Sequence, residues 1–298
     1  MDNPKLILFA ALGVVGVFFI VMWMRALKAG RAQQNGPDMP TPLQTAIGFV
    51  TNFFDTLGIG SYAPTTALFR FFRLVPDEKI PGTLTLGHTL AAITQSFIFI
   101  AIVQVDFKTL ALLIGASIVG AWLGAGVVAK WPRRNVQIGM GLALFAAAGL
   151  FMMANLGIVA AGGTALGLSG TKLILGLVGN FVLGALMTLG IGLYGPCLIM
   201  ISLLGMEPRA AFPIMMASCA FLMPVAGVRF SKEQAYSARP ALGLALGGIP
   251  AVLIAALIVK SMPLVAVRWL VVVVVLIAAV GLLRAAFGTK QPAVPVSP

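Results

Sequence analysis

Five stretches of this chain, 109–129, 135–171, 173–206, 210–228 and 240–259, contain no charged residue. Several exceed the roughly 20 residues that carry an α-helix across a bilayer. Only 9% of the 298 residues are charged and 60% are hydrophobic, whereas soluble domains run to about a quarter charged. The expected fold class is an all-α polytopic membrane protein. An outer-membrane barrel would instead alternate apolar and polar residues over segments of about 10. Lys and Arg number 20 against 8 Asp and Glu, a formal +12. In a membrane protein such an excess collects in cytoplasmic loops, so it argues lipid-bilayer topology and no nucleic-acid partner. Cys197 and Cys219 lie in apolar runs and His88 is the single histidine. They offer neither a disulfide framework nor metal-ligand spacing, and no metal or cofactor is expected.

Residues 6–24 are continuously apolar, with Lys5 before them and Arg25, Lys28 and Arg31 after. A cleaved signal peptide carries its charge in front. The reverse order predicts a retained N-terminal transmembrane helix over 1–31, N-terminus outside and basic flank in the cytoplasm. Residues 32–42 read as a Pro/Gly-containing cytoplasmic linker, and 288–298 as a disordered cytoplasmic tail.

Self-comparison exposes a duplication. TLGIGSYAP at 56–64 and TLGIGLYGP at 188–196 share seven of nine residues at an offset of 132, and the offset also aligns Pro76 with Pro208 and Pro81 with Pro213. The first repeat is placed at 43–158 and the second at 171–287. Two glycines and a proline within seven residues cannot continue an α-helix. Each nonapeptide therefore divides an apolar segment into half-helices, 43–54 and 65–74 in one copy, 173–187 and 197–204 in the other. Irregular backbone at membrane depth is tolerated where it is buried in protein or lines a wet cavity.

Charge placement decides between re-entrant and spanning breaks. With re-entrant hairpins, each repeat adds three transmembrane helices: 82–104, 107–129 and 135–157, then 210–228, 240–260 and 265–285. All 20 basic residues then lie on the cytoplasmic side except Lys5, Lys108, Lys172, Arg209, Lys260 and Arg268; spanning breaks would split them evenly. The positive-inside rule favours hairpins. Three spans per repeat is odd, which predicts inverted-topology repeats of the kind common in secondary transporters.

Half-helices beginning at Pro64 and Pro196 would present unpaired amides and partial positive charge, an anion site needing no arginine. The candidate substrate-binding residues are Thr56, Gly58, Gly60, Ser61, Tyr62, Pro64 and Thr65 in the first copy. In the second they are Thr188, Gly190, Gly192, Tyr194 and Pro196. Asp55, the one acid placed inside the bilayer, is expected to bind a coupling proton or cation or to cap the nearby half-helix. His88 either shares a proton with Asp55 or is a hydrogen-bonded interfacial histidine. Asn52, Gln95, Asn180 and Ser218 line a pathway or join helices. Enzymatic signatures are missing: GGTALGLSGTK at 162–172 lacks the Gly-Lys-Ser/Thr ending of a phosphate loop, and neither GxSxG nor HExxH occurs. An enzyme is not expected.

With these motifs in view, the chain resembles the sulfite exporter TauE/SafE family of permeases. DTLGIGSYAPTTALFRFFRLVPDEKIPGTLTLGHT (55–89) and MTLGIGLYGPCLIMISLLGMEP (187–208) carry the likeness, which covers about 43–287 and leaves the N-terminal helix as an addition. Common members have GIGGGxxxxP where this chain has GIGSYAP and GIGLYGP, so it resembles a divergent branch. The resemblance implies transport of a small anion such as sulfite, an organosulfonate or a related organosulfur or carboxylate anion. It singles out Gly58, Gly60, Pro64, Gly190, Gly192 and Pro196. The expected protein is a multi-pass alternating-access transporter of the cytoplasmic (inner) membrane, C-terminus cytoplasmic. The alternatives are an anion channel or a non-transporting scaffold. Small residues along the helices would permit a homodimer.

Overall fold

The computed structural model describes residues 3–31, 39–128, 163–188, 190, 192–261 and 264–288, with isolated positions between 134 and 156. The helices in chain order are α1 (Asn3–Arg31), α2 (Pro42–Thr56), α3 (Tyr62–Phe71), α4 (Ile80–Ile102), α5 (Phe107–Val128), α6 (Gly170–Met187), α7 (Tyr194–Leu203), α8 (Ala211–Lys232), α9 (Ala238–Ser261) and α10 (Leu264–Phe287). Among the described residues the only β-pairing is one isolated bridge, Ala165 to Met206. Five of these helices, α1, α4, α6, α8 and α9, are long and apolar enough to cross a membrane. The expected linker at 32–42 is described only from Met39 onward, and Pro42 already opens α2. Most of the span expected at 135–157, and the tail beyond Gly288, lie outside the described residues.

Local chemistry places the helix ends. Thr41 and Gln44 form a reciprocal capping box at the start of α2, with Pro42 at the first helical position. At α5, Asp106 accepts the Thr109 amide and hydroxyl, each at 2.8 Å. Those two donors, with Lys108 nearby, hold its carboxyl below the usual carboxylate range.

Lipid is as apolar as leucine, so burying apolar side chains does not by itself drive these helices together; close backbone approach does. The packing has a reciprocal pattern. α2 lies along α9, and α6 lies along α5. A shift of 132 residues carries α2 onto α6 and α5 onto α9, so each copy's broken segment packs against the other copy. Glycines make both seams. A Cβ at Gly247 would overlap the backbone of Thr45 and Phe49, and one at Gly184 the backbone of Ser117. Between the seams α4 packs on α8, with Phe99 and Phe212 stacked at 5.4 Å. α1 closes the outside of this pair, placing Phe19 and Trp23 against Leu86, Tyr236 and Ala241.

Candidate functional site

The two breaks are shorter than the sequence suggests. α2 continues through Asp55 and Thr56, and α3 already begins at Tyr62, leaving 57–61 as the break. In the second copy the half-helix likewise begins at Tyr194, two residues before Pro196. Neither half-helix starts at its proline. At the third helical position an amide has no intrahelical acceptor, so proline forfeits nothing there. The first helical bonds follow directly, from the Thr65 amide to the Ser61 carbonyl at 3.0 Å and from the Cys197 amide to the Leu193 carbonyl at 2.9 Å.

Gly58 shows how α2 can stop inside the protein. Its φ is +98°, its amide donates to the Asp55 carbonyl at 2.8 Å, and the Ile59 amide donates to the Phe54 carbonyl at 3.1 Å. These paired bonds satisfy the last carbonyls of α2. Gly190 repeats the arrangement at φ +77°, its amide 3.0 Å from the Met187 carbonyl.

The breaks face each other. An ideal Cβ on Gly60 would lie 3.8 Å from the Tyr194 Cβ, and one on Gly192 would lie 3.7 Å from the Tyr62 Cβ. Between them is a small cavity. Asp55, Gly60, Ser61 and Tyr62 line it from the first copy, with His88 and Ala92 of α4. The second copy contributes Met187, Gly192, Leu193 and Tyr194, with Cys219 and Met223 of α8. Water has about 10 Å³ of accessible volume there, room for one molecule.

Hydrogen bonding in and behind the cavity is directional. The Thr56 hydroxyl donates to the Asn52 carbonyl at 2.8 Å, so its oxygen must accept from Gln95 Nε2 at 2.9 Å. The same amide nitrogen donates to Asp55 Oδ2 at 2.9 Å, and Gln95 Oε1 accepts from the Tyr194 hydroxyl at 2.6 Å. Tyr194–Gln95–Asp55 thus forms a buried bridge from one copy to the other. Ser61 stands beside Asp55 in the cavity lining.

His88 belongs to a separate chain. Asn52 Nδ2 donates to the Gly48 carbonyl at 2.7 Å, which turns its Oδ1 toward His88 Nδ1 at 3.0 Å. The imidazole therefore carries its proton on Nδ1, and Nε2 accepts from the Thr65 hydroxyl at 3.1 Å. Both nitrogens are engaged, and neither by Asp55. Tyr62 completes this side by donating to Thr85 Oγ1 at 3.2 Å, since the Thr85 hydroxyl is itself committed to the Pro81 carbonyl.

Of the predicted residues, Asp55, Gly60, Ser61, Tyr62, His88, Gly192 and Tyr194 meet at the cavity. Thr56 and Thr65 stand behind it, and the Thr188 hydroxyl turns back to the Ala185 carbonyl at 2.6 Å. Gly58 faces Leu198, Phe212 and Met215 instead. Pro64 and Pro196 lie half-buried in the first turns of their helices. Asn180 joins helices, donating to the Leu113 carbonyl at 2.7 Å and to Ser218 at 3.0 Å. Met187, Leu193, Cys219, Met223 and Thr85 were not singled out by sequence reasoning. The offset of 132 held the only available signal: Asp55, Ser61, Thr65, Thr85, His88 and Gln95 align with Met187, Leu193, Cys197, Ala217, Ala220 and Gly227. One wall is polar, and its counterpart is apolar and sulfur-bearing, with the Cys219 thiol 3.5 Å from Met187 Sδ.

Long apolar helices, two duplicated helix breaks and a cavity where they meet describe a multi-pass membrane protein. The profile of the family described as Sulfite exporter TauE/SafE matches residues 2–152, just over half of the chain, and the chain belongs to that family. The match takes in α1, so the N-terminal helix is part of the family likeness rather than an addition to it, and the second copy of the break lies beyond the matched region. No curated protein and no solved structure gives a match.

Proposed function

We propose that this protein is a secondary transporter that carries a small anion across the cytoplasmic membrane: sulfite, an organosulfonate or a related organosulfur or carboxylate anion. Its two repeats have inverted topology, and they rock about the cavity in alternating access. The N-terminus lies outside and the C-terminus in the cytoplasm.

One observation carries the reading. The N-termini of α3 and α7 open toward one small cavity, and neither has a side-chain cap. Such ends favour negative charge. They are not equivalent, because the Asp55 carboxyl stands beside Ser61 at the end of α3 while Met187 stands at the matching place near α7. The anion therefore docks at the α7 end, against the amides of Tyr194 and Gly195. With room for one water, the described form is closed, and substrate enters after the halves separate.

The test is tracer counterflow in proteoliposomes with sulfite, sulfoacetate, taurine and acetate, comparing the intact protein with Gly192→Ala. The added methyl group would rest at ordinary contact distance from Tyr62, so the fold tolerates it while the cavity fills. Saturable counterflow of a sulfur anion, reduced at least about tenfold in the variant, an effect of about 1.4 kcal/mol, supports the reading. Flux without counterflow would indicate a channel. Silence toward every anion from folded protein would sink it.

A further inference from the structure

We propose that each anion travels with one proton carried on the Asp55 carboxylate, making the protein an anion–proton symporter that a proton gradient drives inward. This rests on the transport reading above and adds its coupling ion, its stoichiometry and its energetic direction.

The argument is one of charge. Asp55 is 4% exposed and receives a hydrogen bond from the neutral donor Gln95, with the neutral Ser61 beside it. The titratable groups around the same cavity are Tyr62 on α3, His88 on α4, Tyr194 and Cys197 on α7, and Cys219 on α8. None supplies a positive charge in the arrangement described, since both His88 nitrogens are occupied by Asn52 and Thr65. No Lys or Arg is among the described residues lining the cavity. The helices behind bring glycine: Gly248 of α9 against Asn52, and Gly281 of α10 beside Ala63.

An anion loaded into this cavity would meet a second, unscreened negative charge, which low-dielectric surroundings make prohibitive. A proton on Asp55 removes that charge and turns the carboxyl into an O–H donor for the anion. The empty carrier has the opposite need. With Asp55 ionised, its carboxylate accepts from Gln95, and Gln95 in turn holds Tyr194 of the other half. Empty-and-ionised and loaded-and-protonated are therefore the two forms that can close. Anion alone and proton alone are each disfavoured, which is the condition for coupled movement. The proton joins the carboxylate on the acid side and leaves with the anion on the other.

Proteoliposomes test this with methanesulfonate and isethionate, monovalent anions that do not themselves titrate near neutral pH. Counterflow at equal pH and clamped potential first scores transport. A lumenal pH dye then scores the proton. The expected result is about one proton taken up per anion, with accumulation changing about tenfold per pH unit of gradient and ignoring the membrane potential. An anion moving alone would instead shift its accumulation about 50-fold per 100 mV. Net anion uptake without lumenal acidification, or accumulation that follows potential or a sodium gradient, overturns the proton proposal and leaves the transport reading standing. Silence to both anions overturns the proton proposal, and silence that extends to sulfite, sulfoacetate, taurine and acetate overturns the transport reading as well. In Asp55→Asn any remaining uptake should lose its proton and become potential-driven, whereas Asp55→Glu keeps the ratio near one. A ratio of one in Asp55→Asn overturns the assignment to Asp55. Should Asp55→Asn fail to fold, the intact protein's ratio and potential response decide alone.

Discussion

Tyr194→Phe removes one oxygen, and the structure says what that oxygen does. Its hydroxyl donates to Gln95 Oε1 at 2.6 Å, between side chains with 4% and 0% exposure. Gln95 cannot turn its amide to compensate, because Nε2 is held by Thr56 and Asp55. The variant therefore strands a buried carbonyl oxygen, which costs about 1–3 kcal/mol. That exceeds the roughly 0.6 kcal/mol average for hydrogen bonds inside membranes, where the freed group commonly finds another partner. For a chain of this size it corresponds to a fall in melting temperature of about 2–6 °C. Tyr62→Phe is the internal control, since its hydroxyl bond is longer, 3.2 Å, and Thr85 retains its bond to Pro81. It should cost less than about 1 kcal/mol. Thermal unfolding of detergent-solubilised protein, followed by tryptophan fluorescence, measures both. A double-mutant cycle of Tyr194→Phe with Gln95→Leu should give a coupling energy of about 1 kcal/mol or more. Equal losses for the two tyrosines, or additivity within about 0.5 kcal/mol, would refute the claim that Gln95 ties the two halves together.

Two further predictions concern parts of the fold remote from the cavity. Asp106→Ala removes the acceptor for the Thr109 amide and should cost about 1 kcal/mol at neutral pH. The native carboxyl is shifted down, so its stabilisation is present above the ordinary carboxylate pKa and is lost as pH falls through the lowered folded value. Melting temperatures of wild type and variant should accordingly converge at the acid end, and a constant gap down to the lowest pH tolerated would contradict this account. Arg73 ends α3 at φ +52°, where the second repeat places Gly205 at φ +94°. Left-handed backbone costs an L-residue about 1–2 kcal/mol, and the freedom glycine adds to the unfolded chain offsets about 0.5–1 kcal/mol of that, so Arg73→Gly should raise the melting temperature by about 1–2 °C; an unchanged or lowered value would show that the Arg73 side chain stabilises the fold.

Much of this protein is legible without coordinates, for a local reason. Helix-stopping chemistry lies within a few residues of where it acts. Thr41-Pro42 starts α2, the glycines at 58 and 190 take positive φ, and the prolines at 64 and 196 sit in first turns, all as residue type requires. The duplication, the apolar spans and the membership in a permease family follow from the order of residues alone. The exact ends do not. Asp55 and Thr56 stay helical because the closing bonds at Gly58 and Ile59 come after them, and no spacing rule distinguishes that from a break beginning at 55.

What tertiary structure decides is which polar groups look at one another. Asn52, Gln95 and Asn180 are indistinguishable as sequence, each a lone amide on an apolar helix. Packing puts Gln95 of α4 between Asp55 of α2 and Tyr194 of α7, while the seam of α5 with α6 puts Asn180 against the Leu113 carbonyl. His88 and Asp55 both line the cavity, yet the turn of α4 commits His88 to Asn52 and Thr65 rather than to the acid. In lipid no hydrophobic gradient marks an inner face of a helix. The facing is set by where glycines such as Gly184 and Gly247 let two backbones touch, and that contact, between residues far apart in the chain, exists only once the helices are packed.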